Sequence, residues 1–441
     1  MFATSAVAAA SASAGSYIVT LKDSAGDPGT VAADEANKTG GTVSFVYRYA
    51  LRGFAATIPA RKLASVQADP RVESVTVDGV VHATTEGCFP PQCTQPAQVL
   101  VNAIRRIDGD LSSTRSGDQT ESVPVNVAVI DTGIDPNHPD LNVVGGVNCL
   151  NNSTKPLDFA DPEGHGTFVA GLIGALDNTI GVVGVAPGAP LWAVRTFDKK
   201  GFAPWSKVIC GIDWVTATRT DSNPSNDIAV ANGSFGGPTG EKGDDGNCGR
   251  TNHDPLHEAI CRSISLGITY VVAAGNEAVD FGAKKVSFPA AYDEVLTATA
   301  IRDADGLPGS LVTDLSTTCL PQQSPQDIDD SAALFSDYAT QAKDQAHTVA
   351  APGVCITSTY PGNLYAFGSG TSFASPLLAG TVALCIYSGP CAGLTPAQIV
   401  TKIVADAAAY NNANPGYGFF GDPLRPVTGK YYGYLIHAGS Y

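Results

Sequence analysis

Three residues in this chain are of types that together can cut an acyl bond. Asp131 follows an apolar run in VIDTGIDPNHPDL, His165 sits in GHGTFVAG, and Ser372 sits in SGTSFASP. A serine hydroxyl is a poor nucleophile near neutral pH unless an imidazole takes its proton. A carboxylate beside that imidazole fixes its tautomer and stabilises the imidazolium that forms. Singly, each has an ordinary reading: Asp131 as a turn or cap residue, His165 as a satisfied histidine, Ser372 as a helix N-cap. All three in Gly-rich settings, in the order Asp, His, Ser, read instead as one acyl-transfer set. Ser372 lacks the G-x-S-x-G elbow, which disfavours a lipase-type hydrolase.

Such residues need a frame. From Val123 onward, short runs rich in Val and Ala (VPVNVAVID, APLWAVRT, DIAVANGS, TYVVAAGN, EVLTATA) read as strands buried on both faces of a parallel sheet. Between them lie the helical stretches GHGTFVAGLIGAL, SKVICGIDWVTATR, DPLHEAICRSISLG and TSFASPLLAGTVALCIY. That alternation predicts an α/β fold with a doubly wound, mostly parallel sheet over residues 121–441, and an active site at the C-terminal ends of its strands. Residues 17–83 read differently, in the order β-α-β-β-α-β, as a small α+β ferredoxin-like unit. Residues 84–120 show no periodicity and are read as a junction. Residues 1–16, ending in small residues of the A-x-A kind, look like the remnant of a secretion signal or a disordered tail.

The motifs DTGID, HGTxVAG and GTSxASP, in this order, resemble the subtilisin family of serine proteases from about Val123 to Ala408. The resemblance implies a Ser-His-Asp endopeptidase and adds Asn276, after TYVVAAG, as an oxyanion-hole donor beside the Ser372 N–H. It implies that substrate lies extended between Ser234-Phe235-Gly236 and the run from Gly201 to Trp205, with Trp205 bordering an apolar subsite or simply part of the core. Ala273, Ala274 and Gly275 would wall the primary pocket, Ser287 would form its floor and Glu277 its rim. Large apolar residues before the scissile bond are expected, with some tolerance of lysine. A structural calcium site is implied too, with side chains of Asp140 and Asn178 and carbonyls of Leu176, Ile180 and Val182. A further ligand from the mature N-terminus has no evident position, and a plain Asn-containing turn remains the alternative. Residues 17–80 resemble the family's inhibitory pro-domain, whose tail VVHAT would run into the groove. Two residues depart from the family pattern: Phe168 for the second His of HGTHVAG, and Phe373 for Met.

The bulk composition agrees. The net charge is −16, and residues 1–83 carry seven basic and seven acidic groups, so the whole imbalance lies beyond them. An acidic surface repels nucleic acid and anionic lipid, and no run of eighteen apolar residues suggests a membrane span. A monomer acting on proteins and peptides, with its own pro-domain as inhibitor, is expected. Ten cysteines suggest disulfides and an oxidising, extracellular destination. CFPPQC and CIYSGPC can also be read as metal knuckles, although neither has CxxC spacing. Cys248 and Cys261 form a plausible pair. His253 and His257 faintly resemble a zinc helix, but Asp254-Pro255 reads as an N-cap with Pro at the first helical position, so they do not share a face. An esterase on the same triad, or a non-catalytic binding protein of this fold, are the competing readings.

Overall fold

The computed structural model describes residues 14–83, 86–94 (backbone), 97–151, 158–237, 244–283, 288–315, 319 and 322–441. The N-terminal unit is built from β1 (Gly15–Leu21), α1 (Pro28–Thr39), β2 (Thr42–Tyr47), β3 (Gly53–Ile58), α2 (Ala60–Gln67) and β4 (Val72–Val77). Its sheet is antiparallel in the order β2-β3-β1-β4. Asp27 caps α1 by accepting from the Thr30 N–H, and Gly40, at φ 72°, ends it in the left-handed conformation that glycine adopts without strain. Val19, Leu21, Val31, Phe54 and Val66 form a separate small core.

The chain then leaves this unit as β5 (Val80–Ala83) and continues as β6 (Glu86–Thr94) and α3 (Asn102–Arg106). Regular structure in the junction was not foreseen. β6 contains Pro90 and Pro91, which supply no N–H donors, and it is tolerated because it pairs on one side only, as an edge strand.

The large unit contains β7 (Val127–Asp131), β8 (Val143–Asn148), α4 (His165–Gly174), β9 (Leu191–Arg195), β10 (Phe202–Pro204) and α5 (Trp205–Ala217). It continues with β11 (Val230–Gly233), β12 (Phe235–Gly236), α6 (Pro255–Ser265), β13 (Thr269–Ala273), β14 (Leu296–Arg302) and β15 (Ser331–Ala332). The last elements are α7 (Ala342–Gln345), β16 (Thr348–Pro352), β17 (Ile356–Tyr360), β18 (Leu364–Ser369), α8 (Thr371–Ser388) and α9 (Pro396–Ala413). The main sheet has eight strands, in the order β15-β14-β13-β11-β7-β9-β8 with β16 also on β14, and all pairs but β14–β15 are parallel. From β7 the chain winds first to β9 and β8, then reverses to β11 and beyond. The switch point therefore lies between β7 and β11, where such folds place their sites.

α6 begins as its sequence predicts: Asp254 caps it, accepting from the Leu256 and His257 N–H groups, with Pro255 in first position. α8 has the length and hydropathy of a membrane span, but it is mostly buried in the core against β11, β13 and β14. Four disulfides are described: Cys149–Cys210, Cys248–Cys261, Cys319–Cys355 and Cys385–Cys391. The expected Cys248–Cys261 pair is among them, and CIYSGPC closes on itself rather than on a metal. The Cys88 and Cys93 side chains lie outside the described residues.

Candidate active site

β7 ends at Asp131, and α4 begins at His165. This brings the Asp131 Oδ1 within 2.7 Å of His165 Nδ1, with both side chains buried. The same oxygen accepts the Thr132 N–H at 2.7 Å. The His165 N–H donates to Glu163 Oε2 (2.8 Å), while Asp161 accepts from the Gly164 and Thr167 N–H groups and the Thr167 hydroxyl. The ring is thus held from its backbone as well as its side chain. Burial opposes charge on His165, but Asp131, with help from Glu163 and Asp161, outweighs it and raises the imidazole above its ordinary value. Its Nε2 is buried without a hydrogen-bond partner among the described residues.

Ser372 lies in the first turn of α8, so the helix N-terminus faces any negative charge that develops there. Its carbonyl accepts from the Ser234 hydroxyl at 2.8 Å, and Asn232 Nδ2 donates to that hydroxyl, which ties β11 to α8. Asn276 stands just beyond β13. Its Oδ1 accepts from both the N–H and the hydroxyl of Thr371, each at 2.9 Å. The oxygen end of the amide is therefore anchored.

The two departures from the family pattern meet each other. The Phe168 and Phe373 rings are 4.3 Å apart, and Phe373 is 5.8 Å from the His165 ring. Two aromatic residues thus fill the apolar space behind the imidazole together, at the separation where ring pairs attract.

The groove is occupied by the chain's own tail. β5 lies antiparallel between β10 and β12, with Val81 opposite Ala203, His82 opposite Phe202 and Gly236, and Ala83 opposite Phe235. The Ala83 N–H donates to the Gly201 carbonyl at 3.0 Å. The structure therefore brings together Gly201, Ser234, Phe235 and Gly236, as the sequence suggests. Trp205 is buried, and its ring lies against Gly79 just before β5, where a Cβ would approach to 2.8 Å. Ala273, Ala274 and Gly275 are buried at the end of β13, and the Gly275 N–H donates to Thr371 Oγ1. Glu277 is exposed and turned back, accepting from the Asn276 N–H at 2.9 Å. Ser287 lies outside the described residues.

The N-terminal unit also grips the helix beyond the groove. Asp78 accepts from the Ser206 N–H and hydroxyl at the start of α5, and the Tyr47 hydroxyl donates to the Ser206 carbonyl. Asp213, one turn and more further along α5, accepts from the N–H groups of Arg48, Tyr49 and Ala50. A helix N-terminus capped from another unit, and a carboxylate wrapped in that unit's amides, form a specific polar contact.

The loop after α4 folds around Asp140. The carboxylate is fully buried and meets only neutral donors: Asn178 Nδ2 at 2.8 Å, the Val182 N–H at 3.0 Å and the Tyr365 hydroxyl at 3.2 Å. Burial pushes it up to about 6 against those hydrogen bonds. Gln98 was missed by the sequence reading: its Oε1 accepts from the Asn178 N–H at 2.6 Å, and its own N–H donates to the Thr179 carbonyl. A lone Gln in an irregular stretch gives no signal of its own.

Family models agree with this architecture. The Subtilase family model matches residues 124–419, and the Peptidase inhibitor I9 model matches residues 16–84. Subtilisin NAT of Bacillus subtilis subsp. natto is 32% identical over 380 residues, covering 86% of this chain and 81% of that protein. Subtilisin of Bacillus pumilus is 35% identical over 294 residues, 67% of this chain and 87% of that protein. A thermostable alkaline protease of Halalkalibacterium halodurans is 36% identical over 258 residues, 58% of this chain and 55% of that protein. The buried Asp131–His165 pair, the strand-filled groove and these matches converge: the chain belongs to the subtilase family of serine endopeptidases and carries an I9-type inhibitor segment at its N-terminus.

Proposed function

We propose that the protein is a secreted endopeptidase in which Ser372 attacks, His165 moves the proton and Asp131 holds the imidazole. Ser372 Oγ adds to the scissile carbonyl while His165 Nε2 takes its proton. The oxyanion receives hydrogen bonds from Asn276 Nδ2 and the Ser372 N–H. His165 then protonates the leaving amine, the peptide bond breaks, and water cleaves the acyl-enzyme by the same route. The observation that carries this reading is the Asp131–His165 contact at 2.7 Å beside a groove already filled by an extended strand.

Substrate takes the place of β5, adding a strand between β10 and β12 so that main-chain bonds supply affinity and side-chain pockets supply choice. The walls formed by Ala273, Ala274 and Gly275 favour a large apolar residue before the cut, and Glu277 admits some lysine. Glu86 pairs with Ser369, three residues before the nucleophile. β5 and β6 are each paired on either side of this stretch, which supports self-cleavage by Ser372 between Ala83 and Glu86.

Calcium fits the Asp140 loop, because the buried carboxylate there meets only neutral hydrogen-bond donors and no cationic partner among the described residues. Asp140, Asn178 and Gln98 would hold it by side chains, and Leu176, Ile180 and Val182 by carbonyls. Bound there, the ion would supply positive charge that ties the loop to the segment before α3. The described disulfides favour an extracellular destination, and a monomer suffices for the site. Casein clearing and peptide-anilide hydrolysis, abolished by a serine-directed sulfonyl fluoride, test the reading. Undiminished hydrolysis after complete modification of Ser372 would refute it.

A further inference from the structure

A second group of chemistry-bearing side chains gathers away from Ser372, where the segments before β14 and β16 meet α7. Asp293, Asp344 and His347 each offer a ligand atom, and these atoms lie within 4.8 Å of one another. Asp344 is fully buried, yet neither carboxylate oxygen accepts a hydrogen bond from a described residue. His347 is 2% exposed; its Nδ1 faces Thr297 Oγ1 at 3.3 Å, and its Nε2 has no partner among the described residues. Orphaned polar atoms this deep are costly unless something meets them.

Something meets them in part. Lys343 Nζ stands 3.1 Å from Asp244 Oδ2, 3.2 Å from Asp293 Oδ1 and 3.3 Å from Asp344 Oδ1. One ammonium therefore sits among three carboxylates and leaves the imidazole nitrogen unused. The Lys343 and Asp293 side chains are 40% and 37% exposed, so the cluster opens to solvent at this corner and the lysine has room to swing out.

We propose that Asp293, Asp344 and His347 bind a divalent transition-metal ion, zinc by their donor chemistry, in exchange for the Lys343 ammonium. Two carboxylates with an imidazole suit zinc better than calcium or magnesium, which take oxygen donors. The ammonium holds the carboxylates at hydrogen-bond spacing. Zinc bonds are about 2.0–2.2 Å, so exchange draws the ligands inward. A fourth position remains for Asp244 or water.

Two neighbouring clusters lack this combination. His257 is already engaged, with Nε2 2.7 Å from Glu294 and its ring stacked on Tyr292 at 3.9 Å. Asp303 and Asp329 accept backbone N–H groups, and Arg106 lies 3.0 Å from Asp303. At the proposed site, Asp344 also approaches Gly282 closely enough that a Cβ there would lie 1.9 Å from Oδ2. The metal would therefore brace the segment that runs on from Asn276, together with β14 and β16.

The test uses the full-length Ser372→Ala chain, stripped of metals and kept in excess calcium so that oxygen-only sites are filled. Cobalt(II) should bind one equivalent, with visible absorption bands of nitrogen and oxygen coordination. Zinc should displace it and raise the melting temperature. His347→Gln should weaken cobalt binding by roughly tenfold or more, about 1.4 kcal/mol for each factor of ten. Lys343→Met keeps every ligand, removes the competing cation and should bind more tightly. Equal cobalt affinity in the Ser372→Ala parent and its His347→Gln variant overturns the proposal, as does the absence of micromolar binding to both that parent and its Lys343→Met variant.

Discussion

At the scale of single residues, neighbouring backbone and side chains hold the candidate catalytic groups by specific hydrogen bonds. Asn276 shows this most simply, since Thr371 holds its Oδ1 twice. Asn276→Ala should lower kcat about 10²–10³-fold, or roughly 3–4 kcal/mol in the barrier, with little change in KM. That magnitude comes from a subtilisin, so it is not independent of the family. A raised KM with kcat retained in steady-state kinetics would argue that Asn276 binds substrate rather than the transition state. Glu163 contributes more indirectly, because its charge helps hold the His165 imidazole above the ordinary value near 6.5. His165 must be neutral to accept the serine proton, so activity falls as pH drops through its pKa. Glu163→Gln keeps an acceptor for the His165 N–H but removes the charge, and the acid limb of kcat/KM should move to lower pH. An unmoved or raised limb would contradict that coupling. The Asp131–His165 contact was legible, because those residue types in Gly-rich settings are rare in combination. Asp161, Glu163 and Gln98 were not, because each acts through backbone N–H groups that any acceptor in the right place can satisfy.

At the scale of elements, the legible parts were those whose pattern is local. The apolar runs of β7, β11 and β13 are buried on both faces, β9 is mostly buried, and all four announce themselves. α6 carries its own start signal in Asp254-Pro255. β10 and β12 have three and two residues, too few for periodicity, and they are strands only because β5 lies between them. The Phe168–Phe373 pair was equally hidden: each residue looked like an isolated departure, and their contact joins helices more than two hundred residues apart. The Asp140 loop was recognised by resemblance, yet its link to Gln98 appears only in three dimensions. That link has a consequence for order of events. Gln98 reaches the loop while β5 still fills the groove, so the proposed ion site would be complete in the uncleaved chain. Chelation should therefore lower the melting temperature of full-length Ser372→Ala, because an ion bound only by the folded state stabilises it by mass action. If calcium loss, verified by metal analysis, leaves that temperature unchanged, the loop holds no structural ion before processing.

At the scale of the whole molecule, two units with different charge share one groove. Residues 1–83 are balanced, and the rest carries the entire net charge of −16. The smaller unit is held by directional contacts: Asp78 on the start of α5, Asp213 wrapped by the Arg48, Tyr49 and Ala50 amides, and β5 paired on both sides. These contacts do not depend on the bond between the units, so cutting it leaves the inhibitor in place. Activity should then appear in two stages, cleavage first and destruction of the released inhibitor later. The geometry also limits where cleavage falls. Ala83 is fixed by the Gly201 carbonyl and Glu86 by Ser369, so cleavage at a bond between them should need neither strand to unpair. Wild type should mature to a chain that begins between Thr84 and Glu86, while Ser372→Ala, identically folded, remains at full length. N-terminal sequencing of both, with the mutant purified free of other proteases, reads the result directly. A Ser372→Ala chain that still matures in that preparation means that another protease does the cutting, and a start site beyond Glu86 means that β6 must detach before the bond is broken.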